Sequence, residues 1–240
     1  MVKIGNFFFR YRNILFVFLY LLLFLPSPDL FREKEFGQTY YVWPLILGLI
    51  ITFSGQLLRG ITIGLAYIMR GGREGKVYAE DLITTGMFRH SRNPLYVGNI
   101  LMLLGVGILD NSLIYVLLVM PVFFLIYHSI VLAEEAFLMR KFGNAYNDYI
   151  NKVNRWIPSF KNIRQTFSGH VFNFRRWILK EYNTQYVWLS GIVLIMLINY
   201  PQLTHYDIHL RNLLILILLP FLGVCYLVIR YLKKSRRLSE

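Results

Sequence analysis

The residue types best suited to chemistry fall in Gly86-Met-Phe-Arg-His-Ser-Arg-Asn-Pro-Leu-Tyr-Val-Gly98. Arg89, His90 and Arg92 crowd the approach to Asn93-Pro94. Asparagine suits a helix N-cap, and proline suits the first helical position, where its missing N–H would be unpaired anyway. The free N–H groups of that first turn, with the basic side chains beside them, make an anion-binding corner. Acid follows at Glu134-Glu135, beyond two apolar segments and a short turn at Asp110-Asn111. Neighbouring helical residues diverge by about 100°. One glutamate is therefore expected to face the hairpin interior and the other a flanking loop. His128 lies seven residues before Glu135 on the same helical face, a position for lining the same pocket or for a hydrogen-bonded buried histidine.

Next comes Phe142-Gly-Asn-Ala-Tyr-Asn-Asp-Tyr-Ile-Asn-Lys-Val-Asn-Arg-Trp-Ile-Pro158. Tyr146 and Tyr149 are three apart and share a helix face. Gly143 offers a stop to the preceding helix. A short aromatic helix followed by Arg155 can cover a pocket, with the arginine clamping an anion.

The elements that must carry these groups are membrane spans. The chain has 240 residues, 56% hydrophobic and 16% charged, and the apolar residues come in long runs. About 20 helical residues cross a hydrocarbon core. Expected spans are 13–25, 41–69, 95–109, 112–133, 186–200 and 212–229, an all-α polytopic bundle of about six transmembrane helices. The first, third and fifth are short and must extend into flanking polar sequence or tilt little. Lys and Arg gather in 1–12, 70–93, 134–185 and 230–240, and are sparse in the alternate loops. The positive-inside rule then places both termini and the motif at the cytoplasmic face of an inner or ER-type membrane. The net charge of +13 suits loops facing anionic lipid; no nucleic-acid recognition motif accompanies it.

Two regions are expected: four spans and the motif in 1–160, then a basic aromatic linker and two spans in 161–240. The linker at 167–182 reads as an interfacial amphipathic helix or as a loop with aromatic belt residues. The N-terminal apolar run lacks a small-residue cleavage site and is read as a retained span. Arg59, within the second span, must face protein or a polar cavity, either as a substrate contact or with a structural partner. Gly60 and Gly64 permit close helix approach. Gly98, Gly105 and Gly107 thin the third span. Gly105-Val-Gly107 lies inside an apolar helix with no strand before it, so it is no dinucleotide fingerprint. Cys225, the lone cysteine, is expected to pack as a small hydrophobe. His205, Asp207 and His209 are ligand types without a metal-binding motif, and no metal site is assigned.

Taken together, these residues resemble the isoprenylcysteine carboxyl methyltransferase family and the membrane phospholipid methyltransferases. The resemblance rests on Gly86, Phe88, Arg89, Arg92, Asn93, Pro94, Tyr96, Gly98, Glu134, Glu135, Phe142, Gly143, Tyr146, Tyr149, Arg155 and Pro158, with Gly55-Gln-Leu-Leu-Arg59 and Leu82-Ile-Thr-Thr-Gly86 upstream. It covers roughly 45–160. The family's histidine before proline is Asn93 here. Residues 161–240 have no recognised counterpart.

The resemblance implies S-adenosylmethionine as cofactor and a lipid or lipidated acceptor. It assigns Arg89, His90, Arg92, Asn93, Pro94, Tyr96, Gly98, Glu134 and Glu135 to cofactor binding. Arg155 would orient the acceptor, with Glu135 or His128 as a proton acceptor where an amine is methylated. Arg59, His128, Tyr146 and Tyr149 are assigned to the substrate. Methyl transfer is a direct displacement whose catalysis rests on alignment. Two other classes stay open: an NADPH-dependent membrane reductase, and a non-catalytic membrane partner subunit.

Overall fold

The computed structural model describes residues 1–66, 77–169, 171–235 and 237–238. Arg70, Arg73 and Lys76 of the basic loop, the last residues of the expected 41–69 span, His170 and Arg236 lie outside the described residues. The fold is all-helical: α1 (Val2–Leu21), α2 (Glu33–Phe36), α3 (Val42–Leu65), α4 (Pro94–Leu109), α5 (Met120–Phe142), α6 (Asn144–Lys152), α7 (Ile163–Ser168), α8 (Phe174–Asn199) and α9 (Ile208–Lys234). A π-helical stretch, Tyr115–Val119, leads into α5. Val2–Phe24, Val42–Leu65, Tyr115–Phe142 and Ile208–Lys234 are long and apolar enough to cross a membrane; α4 is shorter. The bundle is inside out in the sense a bilayer requires. Phe18, Ile50, Leu57, Leu118, Leu125, Leu216 and Phe221 face outward, and α9 buries nothing.

Small residues decide the tightest pairing, α3 on α4. A Cβ on Gly55 would stand 2.6 Å from the Gly98 carbonyl oxygen and 2.7 Å from the Met102 nitrogen. A Cβ on Gly48 would stand 2.6 Å from the Leu109 nitrogen. Backbones this close exchange dispersion contact along their whole length, which in lipid substitutes for a hydrophobic drive. Trp188 of α8 donates from Nε1 to Thr52 at 2.7 Å, and Thr52 donates to the Met102 carbonyl at 3.1 Å. One hydroxyl so links three helices. On the other side α1 runs against α5, with Gly5 at Ser129 and Phe16 between Phe123 and Tyr127.

The helix ends remote from the basic loops are tied by polar groups. Asn111, at φ 56°, accepts from the Phe31 amide at 2.8 Å and donates to its carbonyl at 3.1 Å. Asn199 donates to Asp110 at 2.6 Å, and the Tyr200 hydroxyl donates to the Leu109 carbonyl.

Several expectations need correcting. The linker and fifth span form one helix, α8, from Phe174 to Asn199, not an interfacial helix followed by a span. Its aromatic start is drawn inward: Phe172 seats on Gly64 and Trp177 on Gly60, so the small-residue spacing there receives side chains. Helix α8 enters the same core as α4 and α5, through Trp188, Ile192 and Ile195. Cys225 is exposed on α9 rather than packed. Asp207 caps α9, accepting from the His209 and Leu210 amides at 2.7 and 3.2 Å.

Candidate active site

Pro94 opens α4 as expected, but the Asn93 side chain does not cap it. Its amide donates instead to the Arg155 carbonyl at 3.2 Å. The whole 90–93 segment is laced to the chain after α6. The Arg92 amide donates to Asn154 at 2.9 Å and the Ser159 amide to His90 at 2.9 Å. The His90 ring, 2% exposed, bonds the Ser159 carbonyl at 2.6 Å through Nδ1 and the Thr166 hydroxyl at 2.7 Å through Nε2.

The two glutamates diverge as helical geometry demands. Glu134 turns inward and accepts from the Tyr96 hydroxyl at 2.8 Å. Glu135 turns toward the 155 loop. Arg155 donates to it from Nε at 3.0 Å and from Nη2 at 2.7 Å, and Arg92 Nη1 stands 3.2 Å away. The Glu135 hydrogen bonds hold the Arg155 guanidinium proton more firmly still. Tyr149 donates to the Phe88 carbonyl at 2.7 Å. Burial pushes the Tyr146 hydroxyl up to about 12, and pushes Tyr149 up as well, so both are neutral hydroxyls near neutral pH.

These groups surround a cavity of about 470 Å³, within the range of small-molecule sites. Arg92, Asn93, Tyr96, Glu134, Glu135, Tyr146 and Tyr149 line its charged end, and Arg59 its deep end. The remaining sequence candidates lie outside its walls. Arg89 is exposed. His90 is spent on the 159–166 segment. Pro94 and Gly98 are buried in packing, Gly98 against the Arg59 stem. His128 stacks on Phe124 and Trp156, ring centroids 6.1 Å from each. Arg155 stands behind Glu135. The spacing argument for His128 followed the wrong glutamate. Seven residues before Glu134 is Tyr127, which does line the cavity.

Other wall residues escaped the sequence. Helix α1 supplies Phe9, Arg12, Asn13, Phe16 and Tyr20; nothing in an apolar run marks which face meets a site. A strap at 77–83, including Glu80 and Asp81, covers one side, and Lys141 donates to its Ala79 carbonyl. Asn99 had a signal, being three residues from Tyr96 on one helix face. Among the described residues no group of three or more His, Cys, Asp or Glu is placed to hold a metal ion.

Residues 44–145 match the phospholipid methyltransferase family model. That segment, somewhat under half of the chain, is similar to the phospholipid methyltransferases. Curated relatives divide into two kinds. A nickel-cobalt-cadmium resistance protein of Alcaligenes xylosoxydans xylosoxydans is 28% identical over 58% of this chain and 62% of its own length. A cobalt-zinc-cadmium resistance protein of Cupriavidus metallidurans is 26% identical over 80% of this chain and 83% of its own. The protein-S-isoprenylcysteine O-methyltransferase of Schizosaccharomyces pombe is 34% identical over 32% of this chain and 33% of its own. The chain thus spans less than two thirds of the first and third of these relatives. No solved structure matches. The phospholipid methyltransferase segment contains α4, α5 and both glutamates, but neither α8 nor Arg155.

Proposed function

We propose that this protein is an S-adenosylmethionine-dependent membrane methyltransferase acting on a lipid or lipid-like acceptor, similar to the isoprenylcysteine carboxyl methyltransferases. The observation that carries the reading is one cavity with both charge signs at one end and aromatic, apolar and uncharged polar side chains along the rest of its wall. The cofactor carries a cationic sulfonium, an ammonium, a carboxylate and ribose hydroxyls, so its site needs acid, base and neutral hydrogen-bonding groups together. The charged end offers them. Glu134 has one oxygen engaged by Tyr96 and is set to hold the ammonium or a ribose hydroxyl. Arg92, whose Nε is buried without a partner, is set to hold the carboxylate. When bound, the cofactor supplies an activated methyl group.

The chain's own residues then orient and enclose. Glu135 fixes Arg92 through their ion pair, and Arg155 fixes Glu135, so Arg155 is a positioning residue on this reading. Tyr146 and Tyr149 offer neutral hydroxyls beside the charged groups. Phe9 and Phe16 of α1 and Leu95 of α4 offer apolar surface to a hydrocarbon acceptor, whose alignment with the donor is the main work of catalysis. The basic loops at this end of the bundle support a cytoplasmic orientation for the site on this reading.

Calorimetry on the purified protein tests the reading. Micromolar binding of S-adenosylmethionine supports it; binding of NADPH instead, or of neither, refutes it. Incubating a membrane lipid extract with labelled methyl donor then identifies the species that gains label.

A further inference from the structure

The deep end of the cavity holds a cation whose counter-ion comes from outside the family segment. Arg59 is 4% exposed and Glu181 of α8 is 0% exposed. Arg59 Nη2 donates to Glu181 Oε1 at 2.6 Å and Nε donates to Oε2 at 3.0 Å. A third bond runs from Nη1 to the Asn99 side chain. Gln56 Nε2 stands 3.5 Å from the same carboxylate. Around this pair Tyr20, Asn99, Tyr127 and Thr184 present polar, uncharged groups to the cavity. Tyr127 lies seven residues before Glu134, about 10 Å along α5, so the deep end is distinct from the charged end.

Arg59, the arginine at the deep end of the cavity wall, has the Glu181 carboxylate at hydrogen-bond distance. An anion entering the deep end would shed its hydration and meet a guanidinium already compensated at hydrogen-bond distance. Buried charges without net compensation are disfavoured. An uncharged hydroxyl or amide loses less on leaving water. It still finds donors and acceptors here, including guanidinium N–H groups beyond the three that bond Glu181 and Asn99.

Resting on the methyltransferase reading for its place in catalysis, we propose that Glu181 is a specificity-determining residue. By compensating Arg59 it makes the deep end a seat for an uncharged, hydrogen-bonding head group on an apolar chain, and excludes a carboxylate. Helix α8 is then part of the site, because it supplies the charge that sets its selectivity.

The test compares dodecanol with dodecanoate, two amphiphiles of equal chain length, at about pH 8, where the acid is ionised. Binding to the full chain in detergent is read by native mass spectrometry. Wild type is expected to hold dodecanol about tenfold or more tighter. Glu181→Gln, which leaves Arg59 uncompensated, is expected to shift the ratio about tenfold or more toward dodecanoate. The double variant R59M/E181M removes both charges and is expected to keep the wild-type order, separating charge from packing. It also carries the test if Glu181→Gln does not fold. Dodecanoate preference in the wild type or the double variant, an unchanged ratio in Glu181→Gln, or binding of neither amphiphile by the wild type overturns the proposal. S-adenosylmethionine affinity is measured on the same samples. Its absence in wild type overturns the methyltransferase reading, while the amphiphile ratio still judges Glu181.

Discussion

Glu135→Gln is the most informative perturbation of the charged end. The glutamate side chain is 13% exposed and lies between Arg92, also 13% exposed, and Arg155, 34% exposed. Glutamine keeps the shape but offers a single acceptor oxygen, and its NH2 group meets one guanidinium donor to donor. Arg155 recovers part of its loss from water, so its share is of the order of an exposed pair, up to about 1 kcal/mol. Arg92 recovers less, being only 13% exposed with its Nε buried and without a partner. Leaving such a group further unpaired costs about 1–3 kcal/mol. If Arg92 holds the cofactor carboxylate, most of that loss appears in binding, and about 2 kcal/mol corresponds to roughly a 30-fold weaker Kd. Arg155→Ala leaves the Arg92–Glu135 pair in place and is expected to weaken binding only about three- to tenfold. Calorimetric titration of S-adenosylmethionine into both variants, with thermal unfolding in detergent as a fold control, reads the order directly. Arg155→Ala weaker than Glu135→Gln, or unchanged affinity in Glu135→Gln, refutes the assignment of Arg92 and Glu135 to the cofactor.

Other outcomes follow from the packing. Gly55→Ala is expected to destabilise by about 1–3 kcal/mol, since its Cβ meets backbone that no rotamer change relieves; Gly191→Ala, with nothing within 4 Å, is the neutral control in thermal unfolding. His90→Ala removes the bonds to the Ser159 carbonyl and the Thr166 hydroxyl and is expected to cost about 1–3 kcal/mol, read as early proteolytic cleavage in the 155–169 segment. Burial pushes the Asp110 carboxyl from 3.8 up to about 7. The folded state therefore binds the extra proton, and this group's stabilisation is full below about pH 4 and is lost as pH rises to about 7. Asp110→Asn is expected to flatten that slope, worth a few kcal/mol at most, in unfolding measured from about pH 4 to 8.

Periodicity and apolar run length made the helices legible, because each span must satisfy its own backbone in lipid. The extent of α1 and α8 was harder to read. Arg10, Arg12, Arg175, Arg176 and Lys180 look like loop residues until a helix is seen to carry them. The divergence of Glu134 from Glu135 followed from helical geometry alone. That Glu134 meets Tyr96 and Glu135 meets Arg155 did not, because it depends on how α5 is rotated against α4 and on the path of the chain after α6.

By itself, then, the sequence determined the helical architecture, the basic and acidic groups of the 86–98 and 134–135 motifs, and the chemistry they suit. These are local properties, set by residue type and by spacing along one helix. Only the tertiary structure decided which side chains line the cavity. It spent His90 on the 159–166 segment, placed Arg155 behind Glu135, brought α1 into the wall, and supplied Glu181 to Arg59 across 122 positions. Such pairings arise from helix rotation and packing summed over the whole bundle, and no stretch of chain encodes them alone.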